Sequence, residues 1–246
     1  MAICGIIMLI ATIMDNCFFV HFWYNEVTLD MIITYFGAQF FKVQFGDIML
    51  AFNPISKDSK LNSILKPSRF GADIVFVSAN HPDFNGVDQV SHGNKKPFVI
   101  SGPGEYEVKG VFIKGLPSVS NYGGKELINT IYAISLENMN ICFLGAVNTP
   151  ELKGEVEEGL DGIDILFTPI GGDGVLDPSK AYKLAVFLEP KIIIPMHYGE
   201  IGGKDALRVF LKEAGENPKP EAKLTLKKKD LEGKEGDVVV LDSSKE

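Results

Sequence analysis

Three short apolar-rich runs constrain this chain more than any other feature: Ile74 to Ser78, Ile163 to Thr168 and Lys191 to Pro195. Each has the length of a strand and the continuous hydrophobicity of a strand buried on both faces. Between the last two, Asp177-Pro178 offers an N-cap followed by proline at the first helical position. Ala181, Leu184, Ala185 and Leu188 then fall on one helical face, and Glu189-Pro190 stops the helix. Strand, helix and strand in that order predict a βαβ unit with a parallel strand pair. A second amphipathic helix is expected over Lys204 to Ala214, and late strands over Leu224 to Leu226 and Val238 to Leu241.

The first half of the chain is built from hairpins. Ile32 to Phe36, Phe40 to Phe45 and Ile48 to Phe52 are apolar-rich strands, the last two joined by Gly46-Asp47, which suits a type II′ turn. Ser56 to Phe70 is polar and irregular, punctuated by Pro54 and Pro67. Pro97 to Ile100, Glu105 to Val108 and Val111 to Lys114 read as strands, the last two turning at Lys109-Gly110. Ile128 to Leu136 and Asn140 to Leu144 form another hairpin around Glu137-Asn138-Met139. Hairpins first and βαβα after predict two β-sheets with helices outside them.

The 246 residues suffice for one large domain with a dry core, and 46% hydrophobic with 23% charged residues is ordinary globular composition. A net charge of −8 repels phosphate backbones, so no nucleic-acid partner is expected. The only basic run, Lys227 to Lys229, reads as a solvated strand end. Cys4, Cys17 and Cys142 are too few and too irregular for a disulfide framework, which fits a reducing, cytoplasmic setting. Residues 1–30 differ from the rest: Met1 to Met14 is almost wholly apolar, Asp15-Asn16 interrupts, and Cys17 to Tyr24 is apolar and aromatic again. That is too short for a spanning helix, and with no Lys or Arg before Lys42 it lacks a signal-peptide n-region. The expectation is an extension on a domain of residues 31–246. The extension either reflects an upstream start or packs on the domain, a partner, a membrane surface or a second copy.

The loop that follows the first buried run is Ala79-Asn80-His81-Pro82-Asp83-Phe84-Asn85-Gly86. A loop after a buried strand is a usual place for chemistry, and His-x-Asp carries two side chains that suit zinc. Alone the triplet is weak. In context it resembles the H-x-H-x-D-H loop of the metallo-β-lactamase superfamily, and residues 31–242 resemble that superfamily's small bacterial metal-dependent hydrolases. The resemblance rests on ordered segments: Ile32 to Gly37, Ala72 to Ser78, Gly102 to Val108 (GPGEYEV), Asn129 to Tyr132 (NTIY) and Pro195 to Tyr198 (PMHY). It implies an αββα four-layer α/β sandwich, two mixed sheets flanked by helices. It also implies two divalent metal ions, typically held by five histidines and two aspartates.

This chain cannot supply that set, because it has four histidines: His21, His81, His92 and His197. The family's ligand positions fall, in order, on Ala79, His81, Asp83, Phe84, Ser120, Ala146 and His197, so only His81, Asp83 and His197 keep a metal-binding side chain. Asn53-Pro54 stands where the family has Asp-Pro, and Ala38-Gln39 where it has His-Ser. The survivors also come from different metal positions: His81 from the first, Asp83 and His197 from the second.

Two readings follow. In the preferred one no metal binds: His81 and His197 are neutral, hydrogen-bonded pocket residues, Asp83 caps the following turn, and the domain binds a small molecule or protein, or serves a structural role. In the other, at most one Zn2+ sits on His81, Asp83 and His197. It activates water against an ester, lactone, amide or phosphodiester, with Asp83 the only carboxylate for proton handling. Other candidates are weaker. His92 reads as a surface residue, Cys142 as a buried small hydrophobe, and Ser78 and Ser120 lack a recognisable His-Asp partner set. Gly171 to Gly174 lacks the Lys-Ser/Thr of a phosphate loop and is expected to rim the pocket.

Overall fold

The computed structural model describes residues 8–14, 17–23, 29–65, 70–93, 96–152, 154–199 and 201–244. β1 (Met8–Met14) and β2 (Cys17–Trp23) pair antiparallel as a two-stranded ribbon of their own. The rest of the 1–30 extension lies largely outside the described residues. Among the described residues no helix is long and apolar enough to cross a membrane.

The domain is built on two sheets. The first runs β14 (Leu224–Leu226), β3 (Met31–Tyr35), β4 (Phe41–Phe45), β5 (Ile48–Phe52), β6 (Ile74–Phe76) and β7 (Phe98–Ile100). The second runs β15 (Asp237–Val238), β13 (Ile192–Met196), β12 (Ile165–Pro169), β11 (Met139–Phe143), β10 (Leu127–Leu136), β9 (Val111–Ser120) and β8 (Gly104–Val108). Both are mixed. Hairpin-linked strands pair antiparallel, while β5, β6 and β7, and β11, β12, β13 and β15, pair parallel. The expected βαβ unit is β12, α2 (Pro178–Leu188) and β13, and the Asp177 carboxylate caps it by accepting the Lys180 amide at 3.0 Å.

Alternation explains which side chains go inside. Ile33, Phe41, Val43, Leu50, Phe52 and Phe76 of the first sheet face Ile113, Tyr132, Ile134, Phe143, Phe167 and Ile194 of the second. Aromatic rings lock the middle, with Phe41 on Phe167 at 4.7 Å and Phe52 on Phe143 at 5.0 Å between centroids. Outside the second sheet, Ala181, Leu184 and Ala185 of α2, with Ala206 and Phe210 of α3 (Ala206–Ala214), cover Leu166 and Ile193. A four-residue helix, α1 (Glu155–Glu158), had no periodic signal in the sequence. The outer face of the first sheet is covered differently. Ile55, Leu61, Leu65 and Val90, from loops and two 3-10 turns, pack on Ala51 and Val75. Among the described residues the α-helical cover is therefore one-sided.

The expected turns form. Gly46 has φ 56°, and Lys109 and Gly110 have φ 54° and 77°. The β10–β11 turn is tighter than expected, with Glu137 and Asn138 alone at φ 48° and 64° and Met139 already in the strand, paired with Leu136. The basic run also departs from a solvated strand end. Lys228 Nζ lies 2.6 Å from the buried Asp164, which also accepts Lys191 Nζ at 2.8 Å and the Asn140 amide at 2.8 Å. Burial pushes the Asp164 pKa up, but the two lysines and the amide outweigh it and hold the carboxyl below its ordinary range. Asp73 ties the two sheets in the same way, through Lys109 Nζ at 2.5 Å and the Met49 amide at 2.9 Å.

Candidate functional site: a packed cluster at the strand ends

The loops that follow β3, β6, β9, β11, β12 and β13 emerge at one end of the sandwich, and the candidate ligand positions lie on them or, for Ser120, at the strand end that feeds one. His81 and Asp83 follow β6; Ser120 ends β9; Ala146 follows β11; His197 follows β13.

His197 is 1% exposed and sits at φ 62°, and its amide donates to Ala38 O at 2.7 Å. Its Nδ1 lies 3.3 Å from Gln39 Nε2. An amide nitrogen can only donate, so Nδ1 accepts and the imidazole carries its proton on Nε2. Burial drives the His197 pKa down to about 4, against a weaker pull upward from Asp83. Behind Gln39 a buried polar chain continues. Asn53 Nδ2 donates to Gln39 Oε1 at 2.9 Å and to Ser78 Oγ at 2.8 Å, and Asn53 Oδ1 accepts the Ser78 amide at 2.8 Å. Asn53, Gln39 and Ser78 thus satisfy one another and fix the His197 tautomer. Ser78 belongs to this network and is not paired as a nucleophile.

Asp83 does not cap the next turn. Its Oδ1 accepts the Ser59 hydroxyl and its Oδ2 accepts the Tyr122 hydroxyl at 2.7 Å, while the Asp83 amide donates to His81 Nδ1 at 3.2 Å. His81 Nδ1 is also 3.5 Å from Asp83 Oδ2. Both carboxylate oxygens and one nitrogen of each imidazole are therefore already in protein contacts.

Three of the positions that the resemblance sets against family ligands come together as an apolar unit. Ala79, Phe84 and Ala146 pack with Val175 in one buried cluster, and Tyr122 packs against it. Phe84 is 0% exposed, and its ring centroid is 4.8 Å from that of Tyr122. Ser120, the fourth position that the resemblance sets against a family ligand, is buried and its Oγ accepts the Tyr122 amide at 3.1 Å. Val175 closes the cluster from the glycine loop after β12, which rims this end of the molecule as expected.

Tyr122 is the residue that sequence reasoning missed. Its ring meets His81 edge-on at 4.9 Å and His197 edge-on at 5.2 Å, and its hydroxyl bonds Asp83. Burial, reinforced by the Asp83 bond and charge, raises its pKa well above the phenol value, so it stays a hydrogen-bond donor. The available signal was its place two residues after Ser120: beside small side chains such as Ala79, Ala146 and Ser120, a nearby aromatic is the group able to fill the volume. Among the described residues no three His, Cys, Asp or Glu side chains form a group that could hold a metal ion. The donor set as arranged does not fit the metal centre that the resemblance implies. Of the weaker candidates, Cys142 is buried under the helices with its thiol pKa raised by burial, and His92 is exposed. No side-chain description extends to His21.

Known proteins place the chain. The profile of the β-lactamase superfamily domain matches residues 32–197. The UPF0173 metal-dependent hydrolase YtkL of Bacillus subtilis is 25% identical over 197 residues, covering 68% of this chain and 86% of the relative. A UPF0173 metal-dependent hydrolase of Thermococcus onnurineus is 33% identical over a shorter stretch of 98 residues, 39% of this chain and 44% of the relative. Among solved structures, a Zn-dependent hydrolase of the metallo-β-lactamase superfamily from Thermotoga maritima superposes with TM-score 0.64 and 27% identity, covering 86% of this chain and 98% of the other. Igni18, a metallo hydrolase from Ignicoccus hospitalis, shares the fold with TM-score 0.59 at 19% identity, covering 88% and 97%. With its paired mixed sheets, its strand-end loops and a profile match across most of its length, the chain belongs to the metallo-β-lactamase superfamily.

Proposed function

We propose that this chain is a non-hydrolytic member of its superfamily, a binding or structural domain whose strand-end pocket has become packed core. The observation that carries the reading is the cluster of Ala79, Phe84, Ala146 and Val175, closed by Tyr122. Hydrolysis of the kind named for the relatives needs a metal that lowers the pKa of bound water and a space for substrate beside it. Here three of the replaced ligand positions turn apolar side chains toward one another, and the remaining donors are bonded to Ser59, Tyr122 and Gln39. His197, held neutral by burial, acts as a hydrogen-bond acceptor that anchors the Gln39–Asn53–Ser78 chain.

Turnover tests this directly. Protein expressed with zinc is assayed on aryl esters, lactones, anilides and phosphodiesters beside His197→Ala. The expected result is no zinc-dependent difference between the two proteins on any substrate. Zinc-dependent turnover by the parent that disappears in His197→Ala would overturn the reading in favour of a one-metal hydrolase on His81, Asp83 and His197.

A further inference from the structure

Tyr122 does more than fill space, because its side chain is in contact with each of the three remaining donors. The hydroxyl bonds Asp83 Oδ2 at 2.7 Å, and the ring contacts His81 and His197 edge-on and Phe84 at a tilt. Two neighbouring loops are shaped to admit it. Gly174 has φ 94°, and a Cβ there would come within 2.7 Å of the Tyr122 Cα, so only a glycine lets the loops approach this closely. Gly123 has φ 72°, and a Cβ there would lie 3.1 Å from His81 Nε2. Ser120 joins both loops, accepting the Tyr122 amide and pointing its hydroxyl at Gly174 O, 3.5 Å away.

We infer that Tyr122 is a built-in plug that keeps His81, Asp83 and His197 from holding a divalent cation, a role that rests on the non-hydrolytic reading and deepens it. The donors themselves are not lost. His81 Nδ1 and Asp83 Oδ2 are 3.5 Å apart, and His197 keeps its Nε2 side outside the Gln39 bond. Two imidazoles and a carboxylate with a water are a complete ligand set for zinc or cobalt. Of the contacts these donors make, the Tyr122 ring and hydroxyl are the ones that touch all three. The Ser59 bond to Asp83 Oδ1 and the Asp83 amide on His81 Nδ1 leave Asp83 Oδ2 and the far nitrogen of each imidazole. The phenol holds a carboxylate oxygen that a cation would need, and the ring lies against both imidazoles. Removing the ring vacates the volume and frees Asp83 Oδ2 together, whereas removing the hydroxyl alone leaves the ring in place.

The test is metal binding and needs no substrate. Apo parent protein, Tyr122→Ala, Tyr122→Phe and Tyr122→Ala/His197→Ala are titrated with Co2+ and followed by visible ligand-field absorption, then by zinc stoichiometry after dialysis. The expected result is about one equivalent bound by Tyr122→Ala and at least a tenfold weaker response from the other three. Tyr122→Ser substitutes if the alanine variant does not fold. If the small-residue variant folds and binds no more than the parent, the plug is wrong while the non-hydrolytic reading stands. If the parent itself binds as tightly as Tyr122→Ala, both are wrong. If the double variant binds as well as Tyr122→Ala, the cation sits elsewhere and the plug is again wrong.

Discussion

Replacing Phe84 by alanine is expected to lower the stability of the domain by about 4 kcal/mol, the range found for a fully buried phenylalanine. The side chain has no solvent exposure and packs among Ala79, Ala146, Val175 and Tyr122. In a pocket built around metal ions and water the same position would be a polar ligand, and trimming it would cost the fold little. Here it is core, and the small alanines at positions 79 and 146 offer no long side chain able to collapse into the space. Urea unfolding of the parent, Phe84→Ala and Phe84→Leu measures it. The leucine variant should lose only about 1 kcal/mol, since most of the volume is kept. A loss under about 1 kcal/mol for Phe84→Ala would show that this end of the molecule is not packed as core.

Acid should find the same site through His197. The folded pKa is about 4 and the ordinary histidine value is 6.5, so the folded state favours the neutral imidazole. Above pH 6.5 both folded and unfolded chains carry it neutral, and its contribution to stability is fully present. Between pH 6.5 and about 4 the unfolded chain takes up a proton that the folded chain refuses, and stability falls by roughly 3 kcal/mol. Below that both are protonated and this contribution is spent. Asp164 contributes in the same direction at lower pH, because its folded pKa lies below the ordinary carboxylate value and its stabilisation is lost on protonation. His197→Asn separates the two, since asparagine tolerates the positive φ of 62° and does not titrate. The stability difference between parent and variant should shrink or reverse from pH 7 to pH 4. A difference that stays constant with pH would mean that His197 is not held neutral by burial.

Much of the fold was legible because its signals are local. Continuous apolar runs mark β6, β12 and β13, and Asp177-Pro178 marks the start of α2. Hairpin turns with glycine, such as Lys109-Gly110, were placed correctly, whereas Glu137-Asn138 turned without glycine and let Met139 pass for a turn residue. Two features were not legible for physical reasons. The Lys228–Asp164 pair joins residues 64 positions apart, and no pattern near Lys228 announces its partner. The β15 strand ends early because the ladder to β13 stops at Val238, and the chain beyond is held by single contacts such as the Val239 amide on Ile193 O at 2.9 Å.

The site divides along the same line. The resemblance assigns family ligand positions to Ala79, Phe84, Ser120 and Ala146, residue by residue. What packs around them could not be read from sequence, since Tyr122 meets Asp83, His81, Phe84 and His197 only after the loops of β6, β9 and β13 are brought together. Asp83 carries a local cue, two residues after His81, that suggests a ligand or a cap. Tertiary structure instead gives it two hydroxyl donors from distant segments, Ser59 and Tyr122. A polar residue whose partners are far away in sequence keeps its type while its role changes.

The central claim, that this end of the fold has exchanged a metal centre for packed core, is tested most directly by elemental analysis. Full-length protein is expressed with added zinc, gel-filtered, and measured for bound transition metal beside His81→Ala and His197→Ala. The account predicts well under a tenth of an equivalent in all three proteins, with no difference among them. Close to one or two equivalents in the parent, falling in either histidine variant, would contradict it.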